Sequence, residues 1–203
     1  MCKKTISKMY LMTVAILLIG ACWQASAQSG EIKSMKGYEF LDTNDIQPRT
    51  WADLPQDANG VLIELILGDE NSVLLPPGDG PSGLPSELQW VGGMGHNNIV
   101  GNTKLDVFGL AHFHFPTLTL YLWEYQVWTS DSGDKLFTTN TLILSVSTMT
   151  LAGTKTVIGG TGQFEGAVSN PLKAFGGEIN HVAVLTLEGW ICLNSPSDEA
   201  AAN

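Results

Sequence analysis

Thr138 to Thr150 reads TTNTLILSVSTMT. Its leucines and valine alternate with threonine and serine, the period of two that sends successive side chains to opposite faces of a strand. A helix would repeat its apolar residues every third and fourth position, and no stretch of useful length in this chain does so. The neighbouring sequence extends the pattern. Thr103 to Phe115, Thr117 to Thr129 and Leu136 to Thr150 are long segments rich in Val, Leu, Thr, Phe, Tyr and Trp, and Asp131-Ser132-Gly133-Asp134 joins the last two as a hairpin turn. Long strands leave unpaired edges unless their sheet closes, so an antiparallel all-β fold, closed into a barrel, is the economical architecture.

Towards the N-terminus, Val61 to Leu67 (VLIELIL) is a short apolar run bounded by Asn59-Gly60 and Gly68-Asp69, which predicts a buried strand. Between Gly68 and Gly95 the chain is rich in Pro and Gly and includes PPGDGPSGLP, which predicts a long loop, either a mobile lid or a disordered insertion. Near the C-terminus, Thr154 to Ile158 (TKTVI) predicts a strand that GGTG turns. Gln163 to Val168 then continues into another strand, where Gly166 permits a bulge or close approach. The glycines of GGTGQFEGA (Gly159 to Ala167) do not form a phosphate loop, because they neither precede a helix nor lead to a suitably placed Lys.

The chain has 203 residues, 44% of them hydrophobic and 15% charged, which suits one core and one domain. Its first residues stand apart. Lys3, Lys4 and Lys8 precede an eleven-residue apolar run, Leu11 to Ala21, with the form of a signal peptide covering residues 1–27 and leaving a single barrel domain at 28–203. Two processing sites compete. Ala25-Ser26-Ala27 would release a soluble chain, whereas Ile19-Gly20-Ala21-Cys22 resembles a bacterial lipobox, making Cys22 a lipidation candidate after a signal of 1–21. Either cut removes Cys2 and predicts an exported protein, secreted, periplasmic or anchored through Cys22. With Cys192 the one remaining unmodified cysteine, no internal disulfide and no cysteine-built metal site is expected, and Cys192 reads as a buried, inert thiol.

From Gln28 onward seven Lys and Arg face all twenty Asp and Glu, a net charge of −13 spread along the chain. Nucleic acids and anionic membrane surfaces are poor partners for such a surface.

The run VIGGTGQFEGAVSN (Val157 to Asn170), followed by HVAVLTLEGWI (His181 to Ile191), resembles the allene oxide cyclase and dirigent superfamily. The turn residues Gly159, Gly160, Thr161, Gly162, Phe164 and Gly166 carry the likeness, and Leu187-Glu188-Gly189-Trp190 resembles the closing strand of the cyclase branch. The resemblance covers roughly the C-terminal half and implies a small eight-stranded antiparallel barrel. It also implies an apolar cavity, in which a small molecule is held in one shape while it cyclises or couples, with neither metal nor organic cofactor. Dimers and trimers are common in these families, so a homo-oligomer is among the expectations. Tyr38-Glu39-Phe40 resembles a Tyr-Glu-hydrophobic phrase of the cyclase branch, which makes Glu39 a candidate catalytic residue.

Two further carboxylates stand on apolar alternation. Glu64 shares a strand face with Leu62 and Ile66, and Glu124 shares one with Leu122 and Gln126. Inside a barrel either would have a raised pKa and serve as a general acid or base; outside it would be a surface charge. His112 and His114 share a face, as metal-binding or ligand-binding imidazoles do. A cupin-like metal site would need a Glu soon after the second His, and Pro116 to Thr119 provide none, so a solvated outer face or a polar patch in the barrel are the other readings. Arg49, the sole arginine, suits a ligand carboxylate or the surface. Tyr121, Trp123 and Tyr125 lie on one face and would line an apolar pocket or pack against a neighbouring strand or subunit.

These readings predict an exported barrel that binds an apolar small molecule and, as an enzyme, acts as a cofactor-independent cyclase or isomerase. The competing reading is a non-catalytic secreted or envelope-associated barrel.

Overall fold

A computed structural model describes residues 30–55 and 57–194 of the chain. The predicted signal peptide and Cys22 lie outside the described residues. Eight long antiparallel strands close on themselves: β1 (Glu31–Asp42), β3 (Glu87–Asn97), β4 (Gly101–His114), β5 (Thr119–Ser130), β6 (Lys135–Ser145), β7 (Thr150–Gly160), β9 (Leu172–Ile179) and β10 (Val182–Leu193). The ring runs β1-β10-β9-β7-β6-β5-β4-β3, and pairing of β1 with β3, for example Glu39 opposite Gly95, returns it to its start. Two short strands lie off the ring: β2 (Gln47–Thr50) extends the sheet beyond β3, and β8 (Val168–Ser169) pairs with the end of β10. Closure satisfies the backbone groups that an open sheet would leave bare at its edges.

Strand parity divides the side chains into two cores. Leu105, Val107, Trp128, Leu136, Leu142, Leu144, Leu185 and Leu187 fill the interior. On the outside, Trp123, Tyr125, Val127, Leu110 and Leu88 form a second apolar surface.

That outer surface is covered by α1 (Ala58–Gly68), where a strand was expected at Val61 to Leu67. Ala58, Leu62 and Ile66 recur every fourth residue and are buried against the barrel, so the helical spacing has a partner that the isolated sequence does not display. Gly60 falls in the first turn with open space around it; glycine costs a helix about 1 kcal/mol, which this burial exceeds.

The expected loop between Gly68 and Gly95 is also revised. Single turns of 3-10 helix occupy Glu70–Leu74 and Pro81–Gly83, Leu84 is buried in the outer core, and Trp51 Nε1 donates to Pro85 O at 2.8 Å. The segment's second part is β3. Its glycines are not turn signals: Gly93 and Gly95 face inward, where a Cβ would collide with Leu41 and Trp128 respectively.

Two strand ends differ from expectation. The stretch Thr138 to Thr150 is not one strand, since β6 ends at Ser145 and β7 begins at Thr150, with Met149 at φ 52° in the turn between them. Gln163 to Val168 does not form a strand directly after GGTG. Gly162–Phe164 is a 3-10 turn, and only Val168 and Ser169 pair as β8. Gly162 has φ 57°, and a Cβ there would overlap the Asp134 carboxylate. Thr161 exchanges bonds with Lys135, and Phe164 plugs the interior core at this end. The GGTGQFEG phrase thus packs at one end of the barrel.

Candidate functional site

The two ends of the barrel interior differ. Met35, Trp128, Leu136, Phe164, Ala167, Leu172 and Ile191 pack one end solid. The other contains a cavity of about 250 Å³ whose walls include Val91, Val107, Ala111, Leu120, Leu122, Leu142, Leu144 and Leu185. Its mouth is polar. Thr43 Oγ1 donates to Glu178 Oε1 at 3.0 Å, and His181 Nδ1 lies 4.0 Å from the same oxygen. His181 is held there by a two-residue hairpin between β9 and β10 in which Asn180 and His181 both have positive φ, 50° and 63°, the geometry that joins tightly twisted strands.

Between the packed end and the cavity lies a buried polar layer. Register places Glu124 of β5 opposite Asn140 of β6, and Asn140 opposite Lys155 of β7. Glu39 of β1 and Gln126 of β5 also point inward. Lys155 Nζ donates to Glu39 Oε1 and to Gln126 Oε1. Both members of the Lys155–Glu39 pair are 0% exposed. Lys155 Nζ stands 4.7 Å from the Trp128 ring centroid, over a ring face that favours positive charge. Burial pushes the Lys155 amine well below its ordinary range.

Glu124 is the layer's contact with the cavity. It is 8% exposed and lines the pocket wall. Asn140 Nδ2 donates to its Oε2 at 2.7 Å and Gln126 Nε2 donates to the same oxygen at 3.2 Å. Burial raises the Glu124 pKa above its ordinary value, and these two hydrogen bonds oppose that shift only in part. The adjoining position on β4 is Gly109, where a Cβ would press on Glu124 Cγ and the Trp123 carbonyl. Removing that side chain leaves room for the carboxyl.

The remaining expected site residues lie elsewhere. Glu64 is exposed on the solvent side of α1, opposite the buried Leu62 and Ile66, because the segment is helical and not extended. Tyr121, Trp123 and Tyr125 face outward, with Trp123 and Tyr125 buried beside α1, so they pack the helix and do not line the cavity. His112 and His114 are on the outer face of β4, as the pairing of His112 with Tyr121 requires, and His114 Nδ1 bonds Thr117 Oγ1 at 2.9 Å. Arg49 stacks over Trp90 at 5.2 Å on the outer surface and donates to Pro48 O. Cys192 is half-buried in β10. Among the described residues, no group of three or more His, Cys, Asp and Glu is arranged to hold a metal ion.

Sequence reasoning missed Lys155, Gln126 and Asn140. A signal was present. In β7 Leu151, Gly153, Lys155 and Val157 share one parity, so a lysine stands on an otherwise apolar face, and Gln126 had already been placed beside Glu124.

This geometry can hold an apolar molecule by wall contact and meet its inner end with one carboxyl group. No family model, curated protein or solved structure matches the chain.

Proposed function

We propose that the protein binds an apolar small molecule in the open half of its barrel, with Glu124 in its un-ionised form as the polar contact at the inner end. The observation that carries this reading is the pairing of an apolar cavity with a carboxyl at its inner end whose burial favours the protonated state. The cavity of about 250 Å³ has room for several heavy atoms, since a water molecule takes about 30 Å³ of the liquid. Walls from all eight strands of the ring hold the ligand in one conformer, and a hydrogen-bond donor in a dry site stabilises charge that develops on a ligand oxygen. The protein therefore suits steering of a cyclisation or coupling, as the likeness of Val157 to Asn170 to the allene oxide cyclase and dirigent superfamily also implies. The signal-like residues 1–27 support export as part of the same proposal.

The test is an NMR titration of the purified chain with 2-nonanone, following the methyl groups of Leu122, Leu142 and Leu144. Saturable shifts are expected, and Ala111→Phe, which fills the cavity from β4, abolishes them. Unmoved methyls in the wild type refute the reading. A non-catalytic binding barrel predicts the same shifts but returns every ligand unchanged, which separates it from the steering role.

A further inference from the structure

We propose that Lys155 works through Gln126 to fix the Glu124 proton on Oε1, the carboxyl oxygen left for the cavity, so that the pocket selects ligands whose inner end carries an uncharged hydrogen-bond acceptor such as a ketone or ether oxygen. The inference rests on the cavity being a ligand site, as proposed above.

The argument starts from the amide of Gln126. A primary amide has an accepting end and a donating end, and their orientation is set by what each end meets. Lys155 Nζ meets Gln126 Oε1. Whether the proton of the Lys155–Glu39 pair sits on nitrogen or on the carboxyl, Nζ retains N–H groups to donate, so the amide oxygen faces Lys155 in both states. The amide NH2 is thereby turned the other way, towards Glu124, and donates to Oε2. Asn140 adds a second amide donor on the same oxygen.

An oxygen that accepts two N–H bonds is poorly placed to carry a proton of its own. The Glu124 proton belongs on Oε1, which receives no hydrogen bond among the described residues. With Glu124 lining the cavity, that O–H is the group a ligand meets. The ionisable groups around Glu124 are Lys155 and Glu39 behind Gln126, and Glu178 and His181 at the mouth. A fixed donor discriminates by chemistry: a ligand with an acceptor at that depth gains a bond, while a hydrocarbon leaves the O–H buried and unpaired. Lys155 and Gln126 are positioning residues in this arrangement, since neither lines the cavity.

The experiment compares carbonyl-13C-labelled 2-nonanone with its hydrocarbon isostere 2-methyl-1-nonene on the wild type, Gln126→Met and Lys155→Met. In the wild type the ketone carbon should show the shift of a hydrogen-bonded carbonyl, and the infrared band of the un-ionised Glu124 carboxyl should move when ketone binds. Gln126→Met and Lys155→Met should each lower ketone affinity about tenfold while leaving the isostere's affinity unchanged. The free Gln126→Met protein should also show the carboxyl band displaced, because one donor to Oε2 is gone. A role for Gln126 in packing alone would lower both affinities together and leave the ketone carbon's shift in place. Should Lys155→Met fail to fold, Glu39→Leu/Lys155→Met removes the same donor without stranding a carboxylate. Equal response of the two probes to Gln126→Met, or a ketone carbon without the hydrogen-bonded shift, overturns the inference while the cavity reading stands. Binding of neither probe to the wild type overturns both.

Discussion

Replacing Lys155 by Met should be among the most damaging single changes in the barrel, and replacing its partner as well should undo most of the harm. Lys155 and Glu39 are both fully buried, and the second Glu39 oxygen has no hydrogen-bond partner. Lys155→Met therefore strands a carboxylate in an apolar interior. Breaking a buried pair in this way costs about 3–5 kcal/mol, and loss of the donor to Gln126 Oε1 adds about 1 kcal/mol. Met nearly matches the lysine stem in volume, so little of the loss comes from a cavity. In Glu39→Leu/Lys155→Met the stranded charge is gone, and the double variant should lie within about 1 kcal/mol of the wild type or exceed it. Urea unfolding of the wild type, both single variants and the double variant, at a common m value, measures the coupling. A coupling of about 3 kcal/mol or more is expected. Single variants each costing under about 1 kcal/mol, or a double variant equal to their sum, would refute the argument.

Glu124 predicts a pH dependence of opposite sign to an ordinary salt-bridged carboxylate. Its folded-state pKa lies above the ordinary value of 4.5, so the native chain holds this proton more tightly than the unfolded one. The resulting stabilisation is complete below 4.5 and is lost as pH rises through the folded-state pKa; Glu124→Gln should therefore gain on the wild type over that rise, and parallel stability curves would contradict it. Leu62→Ala, at a fully buried position of α1, should cost about 2–5 kcal/mol in denaturant unfolding, whereas Glu64→Ala on the exposed side should change stability by less than about 0.5 kcal/mol. Equal effects would mean that α1 is not held by the face described. Gly162→Ala should cost about 1–3 kcal/mol, because its φ of 57° is unfavourable for alanine and its Cβ would strike Asp134, and an unchanged melting temperature would remove the turn's structural role.

The barrel was legible where side chains alternate. In β6 the apolar and polar residues alternate with a period of two, and β4 and β5 are rich in β-branched and aromatic residues, so these strands followed from residue type, although the stop at Ser145 did not, because Val146 to Met149 continues the same composition through a turn. Where it failed, a tertiary partner decided the outcome. VLIELIL suits a strand or a helix, and only the outer surface made by Trp123, Tyr125 and Val127 gives Leu62 and Ile66 something to cover. The glycines of β3 look like loop residues until Leu41 and Trp128 are seen to occupy the space their side chains would need. The site divides similarly. Parity grouped Glu124 with Leu122 and Gln126 without deciding which face is internal; closure of the ring decides it, and the same decision sends Tyr121, Trp123, Tyr125, His112 and His114 outward. Lys155 was overlooked because lysine is rarely buried without a partner. Its partner Glu39 is 116 positions away in sequence, a contact that no local pattern announces.

The most direct measurement of the central claim is a crystal structure of the protein with a bromine-terminated methyl ketone of about nine carbons, located by anomalous scattering. The account predicts the ketone oxygen within hydrogen-bonding distance of Glu124 Oε1, the chain along Leu122, Leu142 and Leu144, and the bromine near Thr43 and His181 at the mouth. A bromine found only on the outer surface, or a cavity without the ketone at saturating concentration, would contradict it.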